Sequence, residues 1–369
     1  MLKVVTIVGT RPEIIRLSCI LKKFDKYFKH YLIHTGQNYD FELNQIFFKD
    51  LNIKKPYKYL NISKDTPCAA VGDVIKKTEG ILKKLRPDAV FVLGDTNSCL
   101  GLYSAKRLKI PTFHFEAGNR CYDQNVPEEI NRKLVDHMSD INLTYSFISR
   151  QNLLKEGIKS DLVIKVGSPL YEVFSENKQK ILNSNILNKL SLSKKNYFLV
   201  SLHREENTKD NKCINNICNI LEDIHKKFKK DIIFPCHPRI RKIIKKKVKN
   251  KKIKIIKPLG FTDYVNLQIN SSIVLSDSGS ISEESSILNF DALNLRNTHE
   301  RHESLEEGGV MMVGIDKKRI LNGMKMIILG KLNIKNKIVK DYKITNVSDK
   351  ITKIVTSYIP YINKNIWNK

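Results

Sequence analysis

The sequence predicts an α/β protein with two doubly wound domains, each a parallel sheet with helices on both faces. Its 369 residues exceed what one hydrophobic core usually holds, and the hydrophobic fraction of 41% is enough for two cores. Short β-branched runs alternate with stretches of helical periodicity from one end of the chain to the other. Because this alternation occurs in two successive series and is typical of parallel sheets, we expect two domains of the same class.

The first series contains five predicted strands separated by helical stretches. The strands are short apolar runs at residues 3–8, 30–35, 89–94, 112–117 and 141–146. Among the helical stretches, residues 13–24 place Ile14, Leu17, Leu21 and Phe24 on one face, as a helix packed on a sheet requires.

The second series repeats the arrangement, with predicted strands at residues 197–202, 231–236, 253–258, 271–276 and 291–296. The two series join near residues 163–174, where a strand meets Gly167 and Pro169 without a low-complexity linker. We therefore expect one domain over residues 1–166 and a second over residues 167–345. Ligands of such sheets bind beyond the carboxyl ends of the strands, here in a cleft between the domains.

The formal net charge of +27 raises the question of a nucleic acid or an anionic membrane as partner. The lysines, however, are scattered in a Lys-, Ile- and Asn-rich background, which indicates a compositional bias on solvated faces. The densest basic run, residues 239–258, interleaves Ile and Val with the charges and contains no aromatic side chain for stacking on bases. It is typical of an amphipathic helix followed by a strand, and we expect no nucleic-acid partner.

Seven cysteines, an odd number without a CxxC pair or regular spacing, indicate a reduced protein without a structural zinc site. No apolar run is long enough for a signal peptide or a membrane span. The prediction is a cytoplasmic protein with no membrane insertion.

Two predicted helix starts follow strands and are suited to anions. In GTRPE, Thr10 is suited to cap the helix and Arg11 stands at its N-terminus. In SDSGSISEE, the turn at Gly279 leaves backbone N–H groups for a phosphate, and Ser280 and Glu283 have capping-box spacing. Each has a simpler interpretation, because Arg11 can be a surface residue and helix starts often contain small residues without binding a ligand.

Three further strand ends bear ionisable groups, Asp95, Glu116 and His203, and the helix that follows Glu116 begins with Glu128 and Glu129. Taken singly, an Asp before a Thr usually caps a helix, a lone His usually bonds a carbonyl, and first-turn carboxylates complement the helix dipole. Five strand ends with suitable groups at once favour a functional interpretation.

These groups lie in motifs that resemble the non-hydrolysing UDP-N-acetylglucosamine 2-epimerase family. In chain order the motifs are GTRPE, GDT, EAGNR, PEEINR, HREEN, SDSGSISEE and HER. The resemblance implies two Rossmann-like domains in a glycosyltransferase-B arrangement, the second of them binding UDP, with a C-terminal helix at about residues 346–369 packing back on the first. It also implies a homodimer and a C2 epimerase of UDP-linked 2-acetamido sugars that needs no cofactor and no metal.

The family's functional positions fall on residues of these motifs. The resemblance implies a catalytic set and a substrate-binding set, respectively Asp95, Glu116, Glu128 and His203, and Arg11, Arg16, Ser278, Gly279, Glu284 and Arg301. The C2 proton is barely acidic until UDP leaves C1, so the implied reaction passes through a 2-acetamidoglucal, and carboxylates serve the two faces of C2.

The sequence also departs from the family pattern. His302 replaces a usual proline, the stretch 260–270 that should hold uracil is short, and Asn38 replaces a histidine often found beside Gln37. Variants such as VLGDTNSCL and EAGNRCYDQNVPEEINRK resemble the branch that converts UDP-2-acetamido-2,6-dideoxy-L-talose to UDP-N-acetyl-L-fucosamine for capsule or O-antigen synthesis.

Three other functions remain open at this stage. The substrate could be UDP-GlcNAc, converted to UDP-ManNAc. A glycosyltransferase would use the same UDP site with a second sugar as acceptor, and a hydrolysing epimerase would release free sugar.

Overall fold

The computed structural model describes residues 1–36, 41–63, 65–202, 204, 207, 210–236, 238–330 and 338–369. The chain divides into two compact units, Met1–Glu176 with Lys340–Lys369, and Asn177–Val339. Each unit is a parallel sheet flanked by helices, so the predicted α/β class with two doubly wound sheets is confirmed.

Seven strands form the sheet of the first unit, in the order β3-β2-β1-β4-β5-β6-β7. They are β1 (Lys3–Val8), β2 (Lys29–His34), β3 (Lys58–Tyr59), β4 (Ala89–Leu93), β5 (Thr112–Phe115), β6 (Ile141–Thr144) and β7 (Val163–Lys165). All neighbours pair in parallel. Strand order reverses between β1 and β4, and loops at such a switch point open a crevice at the carboxyl ends of the strands.

The helices of the first unit connect these strands. They are α1 (Arg11–Tyr27), α2 (Phe41–Asp50), α3 (Pro67–Leu85), α4 (Leu102–Arg107), α5 (Pro127–Met138), α6 (Phe147–Lys155), α7 (Leu170–Glu176) and, from the end of the chain, α16 (Val347–Asn365). Helix α1 buries Ile14, Leu17, Leu21 and Phe24, the face that its periodicity predicts.

The first unit extends past the expected boundary at residue 166. Helix α7 packs on α1, and Glu176 accepts hydrogen bonds from Cys19 Sγ at 2.9 Å and Lys22 Nζ at 2.5 Å. At the other end, the Ser168 amide donates to Asp341 O at 3.1 Å, so residues 340–345 also join the first unit. Local pattern did not show these contacts because both are made between segments distant in sequence.

Six strands form the sheet of the second unit, in the order β10-β9-β8-β11-β12-β13. They are β8 (Tyr197–Ser201), β9 (Asp231–Pro235), β10 (Ile253–Ile256), β11 (Ile273–Ser276), β12 (Ala292–Asn294) and β13 (Met311–Met312). The order reverses between β8 and β11, which is therefore the switch point of this sheet.

The helices described in this unit are α8 (Lys178–Leu182), α9 (Ile186–Lys189), α10 (Asn211–Phe228), α11 (Pro238–Lys247), α12 (Phe261–Asn270), α13 (Ile281–Leu288), α14 (His302–Glu306) and α15 (Lys317–Ile328). Helix α11 and strand β10 lie in the basic run. The helix buries Ile240 and Ile244 in the core, which confirms the predicted amphipathic helix followed by a strand.

Candidate active site

At the switch point of the first sheet, the buried Glu13 joins the loops after β1 and β4. Its Oε2 accepts the amide N–H groups of Gly9 at 2.8 Å and Thr10 at 2.5 Å. Its Oε1 accepts the hydroxyls of Thr96 at 3.0 Å and Ser98 at 2.5 Å. Burial raises the pKa of Glu13, although these four hydrogen bonds act against that rise. Sequence analysis did not select Glu13 as a site residue, although it is part of GTRPE.

Asp95, in the loop after β4, is held by α5. Arg132 donates to Asp95 Oδ2 from Nε at 3.0 Å and from Nη2 at 2.5 Å, and its Nη1 donates to the buried Glu129 at 3.0 Å. The Asn131 side-chain amide donates to the carbonyl oxygen of Asp95 at 2.9 Å. Both side chains belong to PEEINR, so this motif positions the carboxylate of GDT, a role not assigned from sequence.

Glu116, directly after β5, lies among three polar side chains. Tyr145, fully buried after β6, donates its hydroxyl to Glu116 Oε2 at 3.0 Å. Arg16 Nη1 lies 3.6 Å from the same oxygen and donates to the Tyr145 hydroxyl at 3.2 Å. Asn119 Nδ2 donates to Glu116 Oε1 at 3.3 Å. A phenol and a guanidinium both favour the ionised carboxylate.

Two further predicted residues of the first unit are half-buried. Glu128 lies in the first turn of α5, beside Glu129. Arg11 is the first residue of α1, and its guanidinium carbon lies 5.9 Å from the centre of the Phe47 ring. Arg11, Asp95 and Glu116 thus follow three adjacent strands, β1, β4 and β5, as predicted from the strand ends.

At the switch point of the second sheet, Asp277 after β11 holds Arg204 after β8. Asp277 Oδ2 accepts the Arg204 amide at 3.1 Å, and Asp277 O accepts Arg204 Nε at 3.2 Å. Glu300 accepts Arg296 Nη2 at 2.7 Å and lies 3.4 Å from Arg204 Nη2. His203 lies outside the described residues, as do Gln37 and Asn38.

The turn before α13 passes close to Glu300. A Cβ atom on Gly279 would lie 2.9 Å from Glu300 Oε2, so any larger residue here requires the turn or the Glu300 side chain to shift. Ser280 is the N-cap residue of α13, so a helix starts where predicted, but the predicted capping box is wrong. The Ser280 hydroxyl donates to Glu284 Oε1 at 2.6 Å and makes no cap hydrogen bond. Ser278 lies 2.8 Å from Ser280, oxygen to oxygen.

Glu284 and Arg301 are positioned by other second-unit side chains. Gln268 Nε2 donates to Glu284 Oε2 at 2.6 Å. Arg301 is buried, its Nε lies 3.5 Å from Glu283 Oε2, and its amide donates to His299 Nδ1 at 2.9 Å. Burial, with the neighbouring cations, lowers the pKa of His299 to about 4, which favours the neutral ring that accepts this bond.

Within the described ranges, no group of three or more His, Cys, Asp or Glu side chains is arranged to hold a metal ion. All seven cysteines lie in the described residues as free thiols. The described helices include none with the length and apolar character needed to cross a membrane.

Comparison with known proteins adds to this geometry. A family profile described as UDP-N-acetylglucosamine 2-epimerase matches residues 22–356. The UDP-N-acetylglucosamine 2-epimerase of Methanocaldococcus jannaschii is 38% identical over 352 residues, which cover 91% of this chain and 94% of that protein. Its crystal structure in complex with UDP-GlcNAc and UDP superposes with a TM-score of 0.88 at 35% identity, covering 96% of this chain and 99% of the other.

A solved structure of UDP-N-acetylglucosamine 2-epimerase from Rickettsia bellii superposes with a TM-score of 0.92 at 46% identity and covers 100% of both chains. The sheets of seven and six parallel strands match the glycosyltransferase-B type of fold seen in these structures.

Proposed function

The chain belongs to the UDP-N-acetylglucosamine 2-epimerase family, and from this premise we propose that it inverts C2 of a UDP-linked 2-acetamido sugar by eliminating UDP and adding it back. Membership makes the protein an isomerase that acts on a UDP-sugar. The elimination route, the roles of individual residues and the identity of the sugar are the parts we propose.

The chemistry requires UDP to leave because the C2 proton has no adjacent carbonyl to acidify it. Breakage of the C1–O bond, before or together with loss of that proton, gives UDP and a 2-acetamidoglucal. Protonation of C2 from the opposite face and attack of the UDP oxygen on C1 then give the epimer. Atoms balance without an oxidant, and each face of C2 needs a proton-transfer group.

The observation that best supports this proposal is the pair of cation-supported carboxylates in the first unit. Asp95 accepts two hydrogen bonds from Arg132, and Glu116 accepts the Tyr145 hydroxyl beside Arg16. These partners hold both carboxylates in defined positions, as proton-transfer groups require. We assign Asp95, Glu116 and Glu128 to proton transfer, and His203 to support of the departing diphosphate.

We propose that the nucleotide binds at the start of α13 and to the side chains around it. Ser278 and Gly279 offer small side chains and backbone amides at a helix N-terminus, where the dipole favours phosphate. Glu284 is assigned to the ribose hydroxyls and Arg301 to substrate anions, with Arg11 and Arg16 as cations of the first unit. We expect no metal or other cofactor, since these groups can neutralise a diphosphate.

The sugar we propose is the L-talo/L-fuco pair, that is, UDP-2-acetamido-2,6-dideoxy-L-talose converted to UDP-N-acetyl-L-fucosamine for capsule or O-antigen synthesis. Support comes from the sequence variants around Asp95, Glu116 and Glu128. The names of the relatives favour UDP-GlcNAc as the competing substrate. A site built for a 6-deoxy sugar lacks partners for a 6-hydroxyl, so the two substrates should differ by about tenfold or more in kcat/KM.

Incubation of UDP-sugar and protein in D2O, followed by NMR, tests the reaction. Elimination and re-addition must place deuterium at C2 of the epimer. Transfer to an acceptor without exchange would instead identify a glycosyltransferase, and release of free sugar as the main product would identify a hydrolysing epimerase. Either outcome would refute the proposal.

The same assay, run with both substrates at limiting concentration, tests the sugar. We expect kcat/KM for the L-talo/L-fuco pair to be at least about tenfold higher than kcat/KM for UDP-GlcNAc. Equal or faster conversion of UDP-GlcNAc to UDP-ManNAc would refute this substrate and leave the mechanism unchanged.

We also propose a homodimer in the cytoplasm. On α5 the apolar side chains of Ile130 and Leu134, one helical turn apart, are 52% and 51% exposed, which supports an intermolecular contact. Seven free thiols support a reducing compartment. Sedimentation of the protein at micromolar concentration tests the dimer, and a monomer would refute it.

A further inference from the structure

A buried charged network lies beneath the turns that hold Asp95 and Glu116. His114 in β5, Asp136 in α5 and Arg120 in the loop after β5 are each fully buried. Arg120 Nη1 donates to Asp136 Oδ2 at 2.7 Å. His114 Nδ1 lies 2.9 Å from Asp136 Oδ1. One carboxylate therefore contacts two nitrogen-bearing side chains in the interior.

The same network bonds to the backbone of both turns. His114 Nε2 lies 2.8 Å from the carbonyl oxygen of Gly94, the residue before Asp95. The amide of Gly118, two residues after Glu116, donates to Asp136 Oδ1 at 3.2 Å. His114 thus bonds to the end of β4 and Asp136 bonds to the turn after β5, and the two side chains lie next to each other.

The turn after β5 has a backbone conformation that needs such support. Gly94 and Gly118 have φ of +80° and +79°, which glycine adopts freely, but Glu116 has φ of +69°, in the left-handed region that a residue with a side chain seldom adopts. A conformation of this kind persists where the surroundings fix it.

We propose that His114 and Asp136 are positioning residues that set the backbone turns of Asp95 and Glu116 relative to each other. The expected effect of these residues on catalysis rests on the proposed function. Their effect on the two backbone turns does not. A buried charged network is seldom the most stable way to fill a core, since apolar side chains of similar volume often serve as well. What this network adds is a fixed geometry, and a displacement of about 1 Å at reacting groups can cost about a hundredfold in rate.

Substitutions of His114 separate its two contacts. In His114→Gln the side-chain amide can replace Nε2 and still donate to Gly94, whereas in His114→Asn the amide replaces Nδ1 and leaves the Gly94 carbonyl unbonded. We expect His114→Asn to lower kcat at least about tenfold with KM within about threefold, and His114→Gln to stay within about threefold of wild type. His137→Asn, at the exposed C-terminal end of α5, is the control and should leave kcat unchanged.

Two readouts distinguish positioning from a purely structural role. With C2-deuterated substrate, the isotope effect on kcat should rise in His114→Asn, because misplaced carboxylates slow proton transfer in particular. In the same variant, amide hydrogen exchange should accelerate at residues 94–98 and 116–120 and not elsewhere in the first unit. Equal loss of kcat in both variants with an unchanged isotope effect would overturn the proposal.

The two proposals can fail separately. If the wild-type protein exchanges no C2 hydrogen with D2O, the proposed function fails, and amide exchange alone then decides the positioning. Faster exchange at the two turns in His114→Asn but not in His114→Gln supports it, and identical exchange in the two variants refutes it.

Discussion

At Glu116 the backbone and the side chain are fixed by different neighbours. The backbone φ of +69° costs on the order of 1–3 kcal/mol in an unsupported chain. The side chain has its own support from Tyr145 and Arg16. The carboxylate therefore has a defined position before any substrate arrives, which is what a proton-transfer group needs.

Tyr145→Phe tests the side-chain support without changing the packing of the ring. A hydrogen bond to a charged group contributes about 1.5–3 kcal/mol, so we expect kcat to fall about ten- to hundredfold. Tyr103→Phe, at a tyrosine of the same unit that is 47% exposed, is the control and should retain wild-type kcat. An unchanged kcat in Tyr145→Phe would show that its hydroxyl does not assist Glu116.

Gly279→Ala tests the proposed nucleotide site. The new Cβ would lie 2.9 Å from Glu300 Oε2, and Glu300 Oε1 is bonded to Arg296, so either the turn or the Glu300 side chain must shift. We expect the affinity for UDP to fall about tenfold, which is about 1.4 kcal/mol, as measured by calorimetry. Gly80→Ala, on α3 with no neighbouring atom within 4 Å, should bind UDP as the wild type does. Equal affinities of the two variants would place UDP elsewhere.

At the scale of the element, Gly118 and Gly94 form a matched pair in the two turns. Both have positive φ, but a Cβ on Gly118 would lie 2.1 Å from Ser149 O, whereas nothing lies within 4 Å of one on Gly94. Gly94→Ala should lower the free energy of unfolding only by the backbone strain, about 1–2 kcal/mol. Gly118→Ala should lower it by at least about 1–3 kcal/mol more, because the new Cβ also clashes with the α6 backbone. Urea unfolding of the two variants measures the difference, and equal free energies of unfolding would show that the α6 backbone yields without cost.

The predicted elements show what local pattern can and cannot specify. The apolar runs of β1, β4 and β11 are long enough to be recognised, and their ends correctly located Arg11, Asp95 and the start of α13. Strands β3 and β13 have two residues each, too few for any periodicity, and were missed.

Side-chain partners were harder to predict than strand ends. Ser280 and Glu283 had the spacing of a capping box, yet the hydroxyl bonds to Glu284. Arg132 and Tyr145 reach Asp95 and Glu116 from 37 and 29 residues away in sequence. Only the fold brings such pairs together, so spacing along the chain cannot reveal them.

At the scale of the whole molecule, two buried histidines predict sensitivity to acid in both units. Burial lowers the pKa of His34 to about 4, and burial with neighbouring cations lowers that of His299 to about 4. The unfolded chain, with a histidine pKa of about 6.5, binds more protons between these values. The free energy of unfolding should therefore fall as the pH is lowered from about 6.5 towards 4, by at most about 1.4 kcal/mol per pH unit for each ring.

The midpoint of urea unfolding, measured at pH 7, 6 and 5, tests this dependence. The same measurement on the double variant His34→Gln/His299→Gln is the comparison. The variant loses both titrations, so its midpoint should decline less steeply than that of the wild type below pH 6.5. Above about pH 8 both rings are neutral in the folded and the unfolded chain, and the two proteins should then have the same pH dependence. Parallel curves over the whole range would show that these rings do not govern acid sensitivity.

The return of the chain to its first unit has a consequence for synthesis on the ribosome. Helix α16 packs on α1 with Val347, Ile351, Val355 and Ile359 buried, so the first unit needs residues that are translated after the whole of Asn177–Val339. At about 5–20 residues per second, that interval lasts roughly ten to thirty seconds. During it the apolar face of α1 that later meets α16 is uncovered, and when it ends the second unit has its complete sequence while the first unit still lacks α16. The nascent chain should therefore finish its second unit first, and a chaperone that acts co-translationally would find its binding surface on the half of the protein made earliest.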